Sequence, residues 1–182
     1  MMLIQNVNHI LRAAGEVTGQ TRFVLIGSAA VIAWRRVVPV EMAMTREVDL
    51  FAYDVEDVDG VSEELDGSLG QGSNFDNTFG YYCDGVGAET AILPTDWLDR
   101  AMEYRTPEAP GITAIVPEPE DIALAKLCAW RPKDISWLVA AARGAIIKLD
   151  VMRARLQHMP ARAGDFEELS ARLLRLDQQG RR

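Results

Sequence analysis

The sequence predicts an α+β fold, a small sheet flanked by helices with a helical C-terminal region, and three observations carry that expectation. Residues 23–51, FVLIGSAAVIAWRRVVPVEMAMTREVDLF, read as apolar strand, tight turn at Gly27-Ser28, Ala-rich helix and second strand. Leu3, Val7, Ile10, Leu11 and Ala14 recur at helical spacing ahead of them. Beyond residue 117 the pattern is helical almost throughout, so residues 1–117 are expected to form an α/β core and residues 118–182 a helical region packed on it.

Composition sets the outer limits. At 182 residues, with 48% apolar and 25% charged residues, the chain can bury a proper core. No run approaches the roughly 20 apolar residues of a membrane span. Met1 to Ala14 lacks a basic start and is interrupted by Gln5, Asn6, Asn8 and His9, unlike a signal peptide, so a cytoplasmic protein is expected. Cys83 and Cys128 stand far apart and suggest neither a disulfide framework nor a zinc site. The two histidines, His9 and His158, lie near opposite ends, which disfavours His-dependent chemistry. Any chemistry should rest on carboxylates, Lys, Arg and backbone. The net charge of −8 is uneven: residues 1–117 hold 7 Lys and Arg against 18 Asp and Glu, and residues 118–182 hold 12 against 9. An acidic front disfavours non-specific nucleic-acid binding over the whole surface, while the rear stays open to an anionic partner.

Taken in order, residues 2 to about 17 read as an amphipathic helix ending near Gly15 or Gly19. The strand, turn and helix follow, with Pro39 breaking the helix and residues 40–43 left undefined. Residues 58–65 suggest a short helix, and DGSLGQGSNFDNTFGYYCDGVG, residues 66–87, a long turn-rich loop. Gly70-Gln71-Gly72 within it is no dinucleotide fingerprint, because no strand precedes it. Residues 88–93 read as a strand, residues 97–104 as a strand or short helix, and residues 112–116 as a last strand. Helices are then expected from Glu118 to about Trp130, from Pro132, over residues 149–157, and over residues 165–178. The last begins with Asp165 and Glu168 arranged like a capping box and carries Phe166, Leu169, Leu173 and Leu176 along one face.

The informative chemistry is in the second strand. Side chains alternate, so Glu47 and Asp49 share a face. Their α-carbons are ~7 Å apart in a strand, and two ionised carboxylates approaching to ~5 Å repel by roughly 3 kcal/mol at an effective dielectric near 20. Such a pair calls for a divalent metal or for nearby Lys and Arg; a solvated edge strand would show the same alternation. A hard cation such as Mg²⁺ takes carboxylate oxygen and leaves positions for phosphates. Gly27 offers a turn whose N–H groups can approach an anion, and Ser28 begins the helix that follows. Lys126 has Ile122, Ala123, Ala129 and Trp130 as helical neighbours. Its ammonium needs a counter-charge from a phosphate or a strand carboxylate, unless its stem merely covers apolar surface. Arg131, Lys133 and Asp134 cluster about Pro132 at the next helix junction.

These residues carry a resemblance. The Gly27-Ser28 turn followed by Glu47-Val48-Asp49-Leu50 resembles the signature of the nucleotidyltransferase-like (polymerase beta type) superfamily, whose minimal mixed sheet is flanked by helices. EDIALAKLCAWRPKD, residues 120–134, is similar to the helical signature of abortive-infection-type toxin nucleotidyltransferases, and SNFDNTFGYYCDGVGAETAILPTDW, residues 73–97, to an uncharacterised bacterial branch with that fold. By this resemblance Gly27 and Ser28 hold the nucleotide phosphates, Glu47 and Asp49 hold Mg²⁺ (or Mn²⁺), and Glu89 supplies a third carboxylate. Lys126, with Arg131 and Lys133, meets the triphosphate, and Asp134 orients or deprotonates the acceptor. The implied activity transfers a nucleoside monophosphate from an NTP to a hydroxyl of RNA, such as tRNA, or of protein, in a toxin–antitoxin or phage-defence setting with a cognate antitoxin. Glu47 stands where Asp is usual and the Ser28 to Glu47 interval is long, so the alternative is an inactive nucleotide- or partner-binding protein of the same fold.

Overall fold

The structure is a computed structural model that describes residues 1–180. The chain is α+β, built on one five-stranded mixed sheet in the order β3-β2-β1-β5-β4. Helix α1 (Ile4–Thr18) buries Val7, Ile10, Leu11 and Ala14 along the predicted stripe and ends at Gly19. Strand β1 (Arg22–Ile26) runs directly into α2 (Gly27–Arg35), whose residues Ala29–Ala33 are all buried, as an Ala-rich helix wedged between layers requires. Residues 40–43 form a short helix, α3 (Val40–Ala43), begun by Pro39 at its N-cap.

Strand β2 (Glu47–Ala52) then returns antiparallel to β1, with Asp49 opposite Ile26 and Leu50 opposite Leu25. This register sets the acidic start of β2 beside the end of β1, where the chain turns into α2. Helix α4 (Val58–Leu69) is longer than the sequence suggests and is capped by the Asp57 carboxylate, which accepts from the Gly60 N–H at 2.8 Å.

Residues 66–87 are not one long loop. They contain the end of α4, then α5 (Asn74–Phe79), capped by Ser73, and β3 (Tyr82–Gly85), which lies parallel to β2. The Gly, Asn and Ser residues that imitate a loop are mostly the punctuation of these short elements. Residues 88–93, expected as a strand, form a turn and a bend followed by an irregular connection without sheet pairing. Residues 97–104 hold both expected states, a 3₁₀ turn (Trp97–Arg100) and β4 (Met102–Tyr104). Strand β5 (Thr113–Val116) completes the sheet, parallel to β1 and antiparallel to β4.

The C-terminal helices are α6 (Pro119–Ala129), α7 (Pro132–Arg143), α8 (Leu149–Arg155) and α9 (Phe166–Gly180), with 3₁₀ turns at Leu156–His158 and Ala161–Ala163. Helix α6 packs on α2, and one hydrophobic cluster runs through residues of both halves of the chain. Leu169, Leu173 and Leu176 of α9 are buried, whereas Phe166 is exposed. Asp165 accepts from the Glu167 N–H, but Glu168 pairs with Arg172 instead of closing a capping box.

Two polar devices fasten this region. Asp121, fully buried, accepts two hydrogen bonds at 2.8 Å from Arg100 and one at 3.0 Å from Arg155, which also pairs with Glu118. A buried carboxylate held by two guanidiniums is compensated, whereas an unpartnered one would oppose folding. Arg172 of α9 donates to the carbonyls of Leu127 and Cys128 at 2.9 and 2.7 Å, closing orphan acceptors at the end of α6, and stacks over Trp130. Both cysteines are free. Among the described residues no helix is long and apolar enough to cross a membrane.

Candidate active site

The end of β1, the start of β2 and the α6–α7 junction enclose a cleft of about 590 Å³, a size ordinary for small-molecule sites. It is lined by Gly27, Ser28, Glu47, Asp49 and Asp84 from the sheet, by Lys126, Arg131, Lys133 and Asp134 from the helix junction, and by Thr90–Ile92 and Arg162–Gly164. The structure thus brings together all the residues proposed from sequence except Glu89.

Gly27 and Asp49 leave no room between them. Gly27 has φ +67, and a β-carbon built there would stand 1.9 Å from Asp49 Oδ2. Both the left-handed backbone and the space exclude a side chain, so the glycine lets the carboxylate lie directly against the turn. The Asp49 carboxylate forms no hydrogen bond or ion pair with the described residues. Burial, reinforced by the charges of Glu47 and Asp84, pushes its pKa up to about 7 against the opposing pull of Lys126 and Lys133. Its neighbour Glu47 is better supplied: Tyr82 donates to it at 3.3 Å and Lys133 Nζ lies 3.7 Å away.

At the helix junction, Lys126 is nearly buried, with Nζ 3.5 Å from Asp134 and 5.0 Å from the Trp137 ring centroid. Burial lowers its pKa, and Asp134 and Asp49 oppose that shift. Of the counter-charges open to Lys126 from sequence, a phosphate or a strand carboxylate, neither is its direct partner; the helix residue Asp134 is. Asp134 is itself fully buried and accepts from Arg131 Nε at 2.6 Å and from the Arg131 N–H at 3.3 Å. Burial alone would raise its pKa, but these bonds and the two cations hold it below the usual carboxylate range. A carboxylate so occupied is a weak proton acceptor and a strong organiser of Lys126 and Arg131.

Glu89 stands in the turn after β3, largely exposed, and pairs with Arg162 from the segment before α9. The acid that joins the sheet pair is Asp84, directly opposite Asp49 on β3. Burial and the charges of Asp66 and Glu47 raise its pKa. Sequence reasoning missed Asp84 because β3 is four residues long and sits inside a Gly-rich stretch; the alternation Tyr82, Cys83, Asp84 was its one local signal. Arg162 was missed as well, since nothing in the sequence says that residues 162–164 line the cleft. Among the described residues no group of three or more His, Cys, Asp or Glu side chains converges closely enough to hold a metal ion by itself.

An α+β sheet that sets two strand acids beside a glycine turn, with a cationic helix junction across a cleft, has the features of the nucleotidyltransferase class. The family model described as "Nucleotidyltransferase of unknown function (DUF6036)" matches residues 1–179, and the chain belongs to that family. No curated protein and no solved structure shows a significant match.

Proposed function

We propose that the cleft binds an NTP with Mg²⁺, or Mn²⁺ in its place, and transfers the nucleoside monophosphate to a hydroxyl of RNA or protein. The observation that carries this reading is the half-buried Asp49 carboxylate against Gly27, unpaired among the described residues, in a cleft also lined by Lys126, Arg131 and Lys133. Glu47 and Asp49 would hold the divalent ion, which would supply charge neutralisation at the α-phosphorus. The residues present suit it: two acids on one strand face, one of them without an ion pair among the described residues.

Gly27 and Ser28 cradle phosphate oxygens with backbone N–H groups at the start of α2. Lys126 and Arg131, fixed in place by Asp134, face the triphosphate and stabilise charge as it develops. The acceptor oxygen bonds to the α-phosphorus, the bond from that phosphorus to the bridging oxygen breaks, and pyrophosphate leaves with the electron pair. Asp84 takes the third-carboxylate role first given to Glu89, and the acceptor proton passes to it. Asp134 serves as a positioning residue, not as the base. A toxin–antitoxin or phage-defence setting, with a cognate antitoxin, accords with the family resemblance.

The test is incubation with each α-labelled NTP and cell extract. Label should appear on a macromolecule and disappear in Glu47→Ala and Asp49→Ala; transfer unchanged in both variants would overturn the assignment. A second reading, nucleotide binding without turnover, draws on the Lys133 and Tyr82 contacts that already satisfy Glu47. Calorimetry showing NTP binding without label transfer would favour it.

A further inference from the structure

The cations around the cleft are not equally free. Lys126 and Arg131 share the buried Asp134, and Lys133 faces Glu47, so each is tied to an acid that itself lines the cleft. Arg162 differs. It lines the same cleft, and among the described residues its guanidinium pairs with Glu89 alone, an acid whose side chain is 79% exposed and which does not line the cleft. An ion pair so open to solvent is weakly held. A guanidinium beside a cleft, moreover, matches phosphate oxygens with two parallel donors. The backbone around both partners is irregular: Glu89 lies in a turn, and Arg162 sits in a single 3₁₀ turn between Pro160 and Gly164. Little regular structure need be disrupted for the side chain to turn inward.

We propose that Arg162 exchanges Glu89 for the phosphate chain of the bound nucleotide, adding a cation to those that the α6–α7 junction presents to the triphosphate. Glu89 then acts as a competing anion that parks Arg162 while the cleft is free of nucleotide, and it is no metal ligand. This inference rests on the proposed nucleotide site and assigns it a further binding residue. It also makes a prediction opposite in sign to the metal-ligand role for Glu89. Removing the Glu89 charge should help nucleotide binding, since Arg162 is released, whereas removing a metal ligand should harm it.

The experiment is calorimetric titration of the full chain with each Mg–NTP and with Mg–tripolyphosphate. Wild type, Arg162→Ala, Arg162→Lys and Glu89→Gln are compared, with melting temperatures recorded alongside. Arg162→Ala should weaken the NTP that binds wild type by about ten-fold or more and weaken tripolyphosphate similarly, the effect of one charge-assisted contact. Arg162→Lys should recover part of the loss, and Glu89→Gln should bind as tightly as wild type or up to a few-fold tighter. Unchanged affinity in Arg162→Ala, or a ten-fold loss in Glu89→Gln, overturns the inference while leaving the nucleotide site intact. A loss for NTP without any for tripolyphosphate overturns it too, because the contact would then be to base or sugar. Wild type that binds no NTP removes the proposed function and this inference together.

Discussion

Replacing Asp49 with Asn tests whether its carboxylate is held in the apo protein at the expense of stability. The amide keeps the shape that fits against Gly27 but cannot ionise. Folding moves this carboxyl from 3.8 to about 7, so between those values the folded chain keeps a proton that the unfolded chain releases. Stability from this group is therefore complete at acid pH and is lost as pH rises through 7. Between pH 5 and pH 8 the full displacement corresponds to about 2.5 kcal/mol. Because the carboxylate opens to the cleft, about 1–2 kcal/mol is expected after solvent screening. For a chain of this length, 1 kcal/mol moves Tm by about 2–4 °C. The gain in Tm of Asp49→Asn over wild type should thus be about 3–6 °C larger at pH 8 than at pH 5. Adding millimolar Mg²⁺ at pH 8 should raise the wild-type Tm and leave the variant nearly unmoved. Thermal melts followed by circular dichroism measure both. An equal Tm difference at pH 5 and pH 8 would refute the reasoning, because the carboxyl would then titrate alike in the folded and unfolded chains.

Three other substitutions probe separate parts of the site and its support. Gly27→Ala forces a β-carbon to 1.9 Å from Asp49 Oδ2 at a φ of +67, so it should cost about 1–3 kcal/mol in urea melts and abolish detectable Mg–NTP binding by calorimetry. Asp134→Ala leaves Lys126 buried without its direct partner and should cost about 3–5 kcal/mol; adding Lys126→Met should restore part of that in the same urea series. Asp121→Asn weakens the joint between Arg100 and Arg155 and should cost about 2–4 kcal/mol, read as earlier unfolding with no change in nucleotide affinity per folded molecule.

The centre of the fold was legible because its signals are local and mutually consistent. The apolar run 23–26, Gly27 with Ser28, the Ala-rich stretch and the Glu47–Asp49 alternation each point to one element, and the elements join in order. Pro119 and Pro132 announced the starts of α6 and α7 in the same way. Strand β3 and helix α5 were hidden because elements of four and six residues carry too few positions for a period to emerge. What makes β3 a strand is its parallel pairing with β2, a long-range fact. That one omission moved the third acid from Asp84 to Glu89. The partner of Lys126 was similarly out of reach: the charge at Asp134 was visible, but its complete burial depends on how α7 folds back over α6.

The two fastenings on α6 have a consequence for the stretch that carries Arg162. Arg155 moors its near end through Asp121 and Glu118, and Arg172 moors its far end through the Leu127 and Cys128 carbonyls. Residues 156–165 therefore form an arch with both feet on a single helix. A protease that nicks the crown of this arch should leave the two fragments associated, and the severed chain should still migrate as one particle.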